Sequence, residues 1–154
     1  MAESPKGEPS LNSLRHQIDE IDDTIHDLLM HRIELARSIG EEKSQAQGTA
    51  FRPAREAQIM RRLAARHVGP FPFAVAIRIW REIIAASLSV EGKFVVSVYV
   101  PEPLKAGLAY LALAHAYFGS GTPLLQAQTE AGVLRAVRDG KAAVGVLPLA
   151  SDTH

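Results

Sequence analysis

The chain has 154 residues, and its 17 Lys plus Arg balance 17 Asp plus Glu, so the formal net charge is zero. That balance argues against a general nucleic-acid binder, which would carry an excess of basic residues. The absence of cysteine excludes a disulfide framework and thiol chemistry, and it fits a cytoplasmic location. No apolar run approaches the roughly 18 residues of a membrane span, and residues 1–9 are expected to be a disordered tail rather than a signal peptide.

The first predicted helix runs from Leu11 to about Lys43, with Ser10 as its N-cap. Its apolar residues follow one another at alternating spacings of three and four, which is typical of a heptad seam. At about 1.5 Å per residue this helix is about 50 Å long. A helical domain of ninety residues cannot cover such a seam, which therefore predicts a two-fold dimer. The seam consists of Leu11, Leu14, Ile18, Ile21, Ile25, Leu28, Leu35 and Ile39.

Two further helices are predicted over about Pro53–Arg66 and Phe73–Val90, so residues 10–92 form an all-α three-helix domain. Gly92 is a candidate hinge. From Lys93 onward the pattern changes to β-α-β-α-β, which predicts a small α/β segment with parallel strands over residues 93–154. Its strands are expected in FVVSVYV, PLLQAQ and AAVGVLPL, and its helices in LKAGLAYLALAHAYFG and TEAGVLRAVRDG.

Two cations interrupt the apolar stripe of the first helix. Arg32 and Lys43 are eleven residues apart, so they lie within roughly 20° of the same helix face. A buried cation needs a partner, either an acidic side chain or a bound anion, unless both side chains snorkel to water near the helix end. Arg15 is too far along the helix to reach the same pocket, but in an antiparallel dimer it could reach the pocket of the partner.

The second and third helices also direct polar residues toward this volume. Arg52, Arg55 and Glu56 share one face, although a solvated face is the commoner explanation of such charges. Ser87 and Glu91 continue an apolar stripe on the third helix. A carboxyl group at Glu91 is expected to be partly desolvated, which favours its neutral form, unless the helix frays before Gly92.

These residues predict a cation-rich pocket for a small dianion, and the rest of the pattern indicates that the pocket positions its ligand rather than attacks it. The six histidines are scattered, with no spacing typical of a metal site. No nucleophile has an obvious base beside it.

At these residues the sequence resembles the all-helical chorismate mutase family, type II. The matching strings are LRHQIDEIDDTIHDLLMHRIELARSIGEEK, RPAREAQIMRRL and RIWREIIAASLSVE, within residues 11–91. The resemblance implies an intertwined homodimer with two active sites, each completed by the first helix of the partner. It also implies the rearrangement of chorismate to prephenate, an isomerase reaction of phenylalanine and tyrosine biosynthesis that needs no cofactor and no metal.

The resemblance further implies which residues bind the two substrate carboxylates. Arg32 would bind one of them, with help from Ser87. Arg15 of the partner subunit would bind the other. Lys43 would contact a carboxylate and the ether oxygen, and Arg55 would support this set of residues.

The remaining implied contacts include two departures from the common bacterial pattern. Glu56 would hold the ring hydroxyl beside the backbone amide of Arg52, where the family often has an acidic residue. Glu91 would face the ether oxygen, where Gln is frequent. Because an ionised Glu91 cannot donate a hydrogen bond, activity is expected to fall as the pH rises.

The α/β segment is similar to the opening of the prephenate dehydratase domain that often follows this mutase, through HAYFG and LRAVRDGKAAVGVLPLASD. It departs from that family at YVPEPLKAG and LASD, so a truncated or degenerate remnant without dehydratase activity is expected. Two other functions stay open on the sequence. One is an isochorismate-pyruvate lyase on the same fold, and the other is a regulatory module that binds a metabolite of the aromatic pathway.

Overall fold

The structure, a computed structural model, describes residues 10–44, 51–102 and 104–149. The predicted tail over residues 1–9 falls outside these ranges, as do residues 45–50 between the first two predicted helices. Within them lie five helices and a three-stranded sheet. The helices are α1 (Leu11–Ser44), α2 (Pro53–Arg66), α3 (Phe73–Glu91), α4 (Leu104–Phe118) and α5 (Glu130–Arg138). The strands are β1 (Val96–Tyr99), β2 (Leu124–Ala127) and β3 (Val144–Val146).

The ends of α1 to α3 follow from local chemistry. The hydroxyl of Ser10 accepts a hydrogen bond from the Ser13 amide at 3.2 Å, which caps α1 as predicted. Pro53 occupies the first turn of α2, where its missing amide costs nothing. Gly92 ends α3 by donating its amide to the Leu88 carbonyl at 3.3 Å. Whether Gly92 is also a hinge and a domain boundary stays a prediction.

Helix α1 packs against α3, and Gly40 permits a close approach of the two helices. A Cβ at Gly40 would lie 2.7 Å from both the Cα and the carbonyl oxygen of Glu91. The contact with α3 leaves the predicted seam of α1 largely uncovered, and each of its eight apolar side chains is more than 40% exposed. A single chain therefore leaves the seam uncovered.

The β-α-β-α-β prediction is confirmed, because β1 pairs in parallel with β2 on one side and with β3 on the other. Val96 and Val98 of β1 are fully buried, as is Val133 of α5. The hydroxyl of Thr129 caps α5 by accepting a hydrogen bond from the Gly132 amide. No helix in the described parts of the chain is long and apolar enough to cross a membrane.

The helical and α/β parts share one hydrophobic cluster. Leu88 of α3 is buried together with Phe94, Val98 and Ala114. Helix α3 thus lies between the two parts of the fold, and it contacts α1 and α2 on one side and the sheet and α4 on the other.

Candidate active site

A cleft of about 730 Å³ lies between α1, α2 and α3. Its lining combines charged side chains with an apolar floor, as small-molecule sites commonly do. The polar residues at the cleft are Arg32, Arg52, Arg55, Glu56, Gln58, Ser87 and Glu91. The apolar residues are Leu35, Ala36, Ile39, Phe51, Ala54, Ile59, Ile84 and Leu88.

Arg32 projects from α1 and is half-buried against α3. Its Nη1 donates hydrogen bonds to the hydroxyl of Ser87 and, at 3.4 Å, to the carbonyl of Ile83. Burial lowers the pKa of Arg32, the negative charge of Glu91 opposes that effect, and the positive charge of Arg55 adds to it. The guanidinium is thus a cation held at some cost in solvation, which an anionic ligand would relieve.

Ser87 is buried near the C-terminal end of α3, and its hydroxyl serves as both donor and acceptor. Its hydroxyl donates to the Ile83 carbonyl at 2.8 Å, one turn back in the helix, and accepts the hydrogen bond from Arg32. A hydroxyl has one donor and two acceptor sites. Because a carboxylate oxygen only accepts hydrogen bonds, Ser87 can bind one only by turning its hydroxyl hydrogen from the Ile83 carbonyl toward the ligand.

The start of α2 brings further charges to the cleft. Arg52 is the N-cap residue in an extended conformation, and Arg55 reaches along the helix to the Gln58 amide oxygen at 3.4 Å. Glu56 is buried, and burial raises its pKa while the positive charge of Arg81 on α3 opposes the rise. A carboxylate in the first turn is also favoured by the helix dipole.

Glu91 lies at the last residue of α3, half-buried, with its backbone against Gly40. Its side chain lines the cleft, and its charge acts on Arg32 from the opposite helix. Polar side chains from three helices therefore meet around one volume, with a surplus of arginine. No group of three or more histidine and acidic residues suited to a metal ion occurs within residues 10–44, 51–102 and 104–149.

The structure brings six of the eight sequence-predicted site residues to this cleft. They are Arg32, Arg52, Arg55, Glu56, Ser87 and Glu91. Arg15 is exposed and about 25 Å along α1 from Arg32, so it does not reach the cleft of its own chain. Lys43 belongs to α1, but its side chain lies outside the described part of the structure.

Two lining residues were missed by sequence reasoning. Gln58 follows Arg55 by three residues, a spacing that places both on one helix face. Phe51 lies just before α2, outside any helix or strand, and is half-buried at the cleft, which no local pattern in the sequence indicates.

The sequence profile of the family described as chorismate mutase type II matches residues 14–92, which span all three helices of the cleft. The chain belongs to the type II chorismate mutase family. The match ends at the residue that terminates α3, and it includes every polar residue of the cleft.

Curated relatives of this mutase family member are named bifunctional chorismate mutase/prephenate dehydratase. The protein from Aquifex aeolicus is 36% identical over 90% of this chain and 38% of its own length. The protein from Pseudomonas aeruginosa is 28% identical over 94% of this chain and 40% of its own length. That from Neisseria gonorrhoeae is 35% identical over 57% of this chain. The first two matches extend into the α/β segment, and the chain spans about two fifths of those relatives.

Proposed function

We propose that this chain is a chorismate mutase, which rearranges chorismate to prephenate without a covalent intermediate. The observation that carries the proposal is the convergence of Arg32, Arg55, Glu56, Ser87 and Glu91 on one cleft of a type II chorismate mutase fold. Chorismate has two carboxylates and a ring hydroxyl, and an arginine-rich cleft with buried polar groups fits such a molecule.

In the proposed complex, Arg32 and Ser87 hold one carboxylate of the substrate. Both side chains are already held in place by each other and by the Ile83 carbonyl, so binding requires only that Ser87 turn its hydroxyl hydrogen from that carbonyl to the carboxylate. Glu56 accepts a hydrogen bond from the ring hydroxyl. Holding both ends of the substrate selects the compact conformer in which the two reacting carbons meet, and orientation of this kind supplies much of the catalysis of intramolecular reactions.

The second part of the proposed mechanism concerns the ether oxygen, which gains negative charge as its bond to carbon breaks. Lys43 and Glu91 are proposed to lie on either side of this oxygen. A cation and a hydrogen-bond donor aimed at developing charge lower the barrier more than they stabilise the ground state. Glu91 can donate to this oxygen only when its carboxyl group carries a proton, since an ionised carboxylate only accepts hydrogen bonds.

We further propose that the active form is a homodimer in which α1 of each chain covers the seam of the other. The support is the exposure of all eight seam residues over a helix of about 50 Å. An exposed apolar stripe of this length marks an interaction surface. In an antiparallel arrangement, Arg15 of the partner subunit reaches the cleft and binds the second carboxylate.

The deciding experiment measures chorismate loss and product identity with the wild-type chain and the Arg32→Ala variant. Prephenate formation that depends on Arg32 supports the mutase. Release of pyruvate from isochorismate in place of this reaction would indicate a lyase. Saturable binding of prephenate or phenylalanine without turnover would replace the enzyme proposal by a regulatory module.

A further inference from the structure

Three residues of the cleft also belong to the hydrophobic cluster of the α/β segment. Leu88 is buried inside that cluster, and Phe51 and Ile84 pack against it. Part of the apolar floor of the cleft is therefore also the outer layer of the α/β core. Protein interiors are close-packed, so a shift in one layer is transmitted to the next.

Phe51 is the most direct connection between the two parts. Its ring lies 5.4 Å from the ring of Phe94 and 5.7 Å from that of Phe118, and these two rings are 6.0 Å apart. Phe94 precedes β1, and Phe118 is the last residue of α4. Because Phe51 directly precedes Arg52, the N-cap of α2, this group of three rings fixes where α2 begins.

Arg81 forms a second connection one helix away. Its Nη1 donates to the Ala116 carbonyl at 3.3 Å, and its guanidinium carbon lies 4.5 Å above the ring of Tyr117, so the last turn of α4 holds it on two sides. From that position its charge acts on buried Glu56.

Neighbouring contacts keep the last turn of α4 against α3. The carboxylate of Glu82 accepts hydrogen bonds from the amide and hydroxyl of Ser120 at 3.0 and 3.1 Å. Gly119 has a positive φ of 90°, and a Cβ there would lie 2.4 Å from the Cβ of Ala85. Only glycine permits this approach without a shift of the helices.

We propose that the α/β segment is a working part of the mutase site: the last turn of α4 holds Phe51 and Arg81, and through them it positions Glu56 and the start of α2 toward the substrate. Phe118, Tyr117 and Arg81 are thus positioning residues. The inference rests on the proposed function, since the same cleft is involved. It assigns to this segment a role that does not require the second activity named in the relatives.

The first test is a kinetic comparison of Phe118→Ala, Phe118→Tyr and the control Leu113→Ala, all in the full chain. Leu113 is on α4 but is 59% exposed. A misplaced start of α2 weakens contacts made in both the ground state and the transition state, so Phe118→Ala should raise KM about tenfold. Phe118→Tyr keeps the aromatic ring, so its KM should stay close to that of the wild-type chain, as should the KM of Leu113→Ala. A purely structural role would reduce the folded fraction, and with it the apparent kcat, while leaving KM unchanged.

The second test needs no turnover and follows the titration of Glu56 by NMR. Tyr117→Leu removes the aromatic face beneath Arg81 at a side chain that is 39% exposed, so the fold should persist even where Phe118→Ala does not fold. The midpoint for Glu56 should rise in Tyr117→Leu and in Arg81→Gln, on the order of half a pH unit, and stay unchanged in Arg81→Lys and Leu113→Ala.

Other charged groups at the same cleft stay constant across these variants. They are Arg32 on α1, Arg52 and Arg55 on α2, and Glu91 on α3. An unchanged Glu56 midpoint in Tyr117→Leu and Arg81→Gln would overturn the inference. Failure of the wild-type chain to convert chorismate would instead overturn the proposed function, because the titration does not depend on catalysis.

Discussion

Arg32 on α1 donates a hydrogen bond to the hydroxyl of Ser87 on α3, and this contact joins the two helices where both side chains line the cleft. The hydroxyl in turn donates to the Ile83 carbonyl. Removal of Arg32 therefore leaves Ser87 with a partner, and the substitution tests binding without creating a buried unsatisfied group.

We expect Arg32→Ala to lower kcat/KM for chorismate by about 100-fold or more, because loss of a desolvated charge pair with the substrate is costly. The melting temperature should stay level or rise, since a partly desolvated cation is removed. The matched control is Arg37→Ala, which removes an exposed arginine 3.9 Å from Glu41 on the same helix. Arg32→Ala activity close to that of Arg37→Ala would contradict the binding role.

A mixture of two inactive variants tests the dimer. Arg15→Ala and Arg32→Ala chains, each inactive alone, should regain activity when they are unfolded together and refolded as an equal mixture. Half of the dimers are then mixed, and each mixed dimer has one site with both arginines, so about a quarter of the wild-type activity should return. Size-exclusion chromatography checks the assembly. Two well-folded variants that never complement each other would show that Arg15 does not serve the site of the partner.

The sequence was sufficient to predict the three helices and most of the cleft. The run from Leu11 to Ile39 contains no glycine or proline and has a helical period, so it favours a single long helix. Ser10 marks a helix start because its hydroxyl can cap the first turn, and Pro53 does so because proline suits the first turn. The convergence of six site residues followed from helix periodicity, because polar side chains on inward faces must meet in one interior. The roles of Arg15 and Lys43 stay predictions. Arg15 needs a second chain to reach a cleft, and the side chain of Lys43 lies outside the described part of the structure.

The connection between the cleft and the α/β segment was not predictable in the same way. The packing of Phe51 on Phe94 and Phe118 joins residues more than forty positions apart, and no local pattern encodes it. The strand limits had a similar cause. FVVSVYV is apolar except for Ser97 and Tyr99, but strand β1 is limited to Val96–Tyr99, because β2 and β3 are only four and three residues long.

Glu56 should make stability depend on pH. Its folded pKa is raised above the ordinary value of 4.5, so its stabilising contribution is complete below pH 4.5 and is lost as the pH rises through the raised value. Wild type should therefore lose unfolding free energy relative to Glu56→Gln over this range in urea titrations. The control Glu34→Gln, at an exposed carboxyl group on α1, should parallel wild type. A constant difference between wild type and Glu56→Gln at every pH would contradict the assignment.

Glu91→Gln tests hydrogen-bond donation to the ether oxygen. A glutamine amide always donates, so if donation at this position stabilises the transition state, Glu91→Gln should match or exceed the kcat/KM of the wild-type chain for chorismate. The control Glu91→Ala removes both donor and acceptor and should lower kcat/KM. Chorismate loss measured at one pH compares the three chains. A Glu91→Gln variant that loses as much activity as Glu91→Ala would show that donation at this position is not needed.

Gly40 tests the packing of α1 on α3. An alanine in place of an exposed helical glycine usually adds up to about 1 kcal/mol of stability, but at Gly40 the new Cβ would lie 2.7 Å from backbone atoms of Glu91. We expect Gly40→Ala to cost about 1–3 kcal/mol and to lower kcat, because the helices separate and Glu91 moves with α3. Gly92→Ala is the matched control, since its Cβ would meet no atom within 4 Å and its φ of 165° is extended backbone. Denaturant titration and turnover of both variants separate the outcomes: a Gly40→Ala chain as stable and active as Gly92→Ala would mean that α1 and α3 are not in close contact at Glu91.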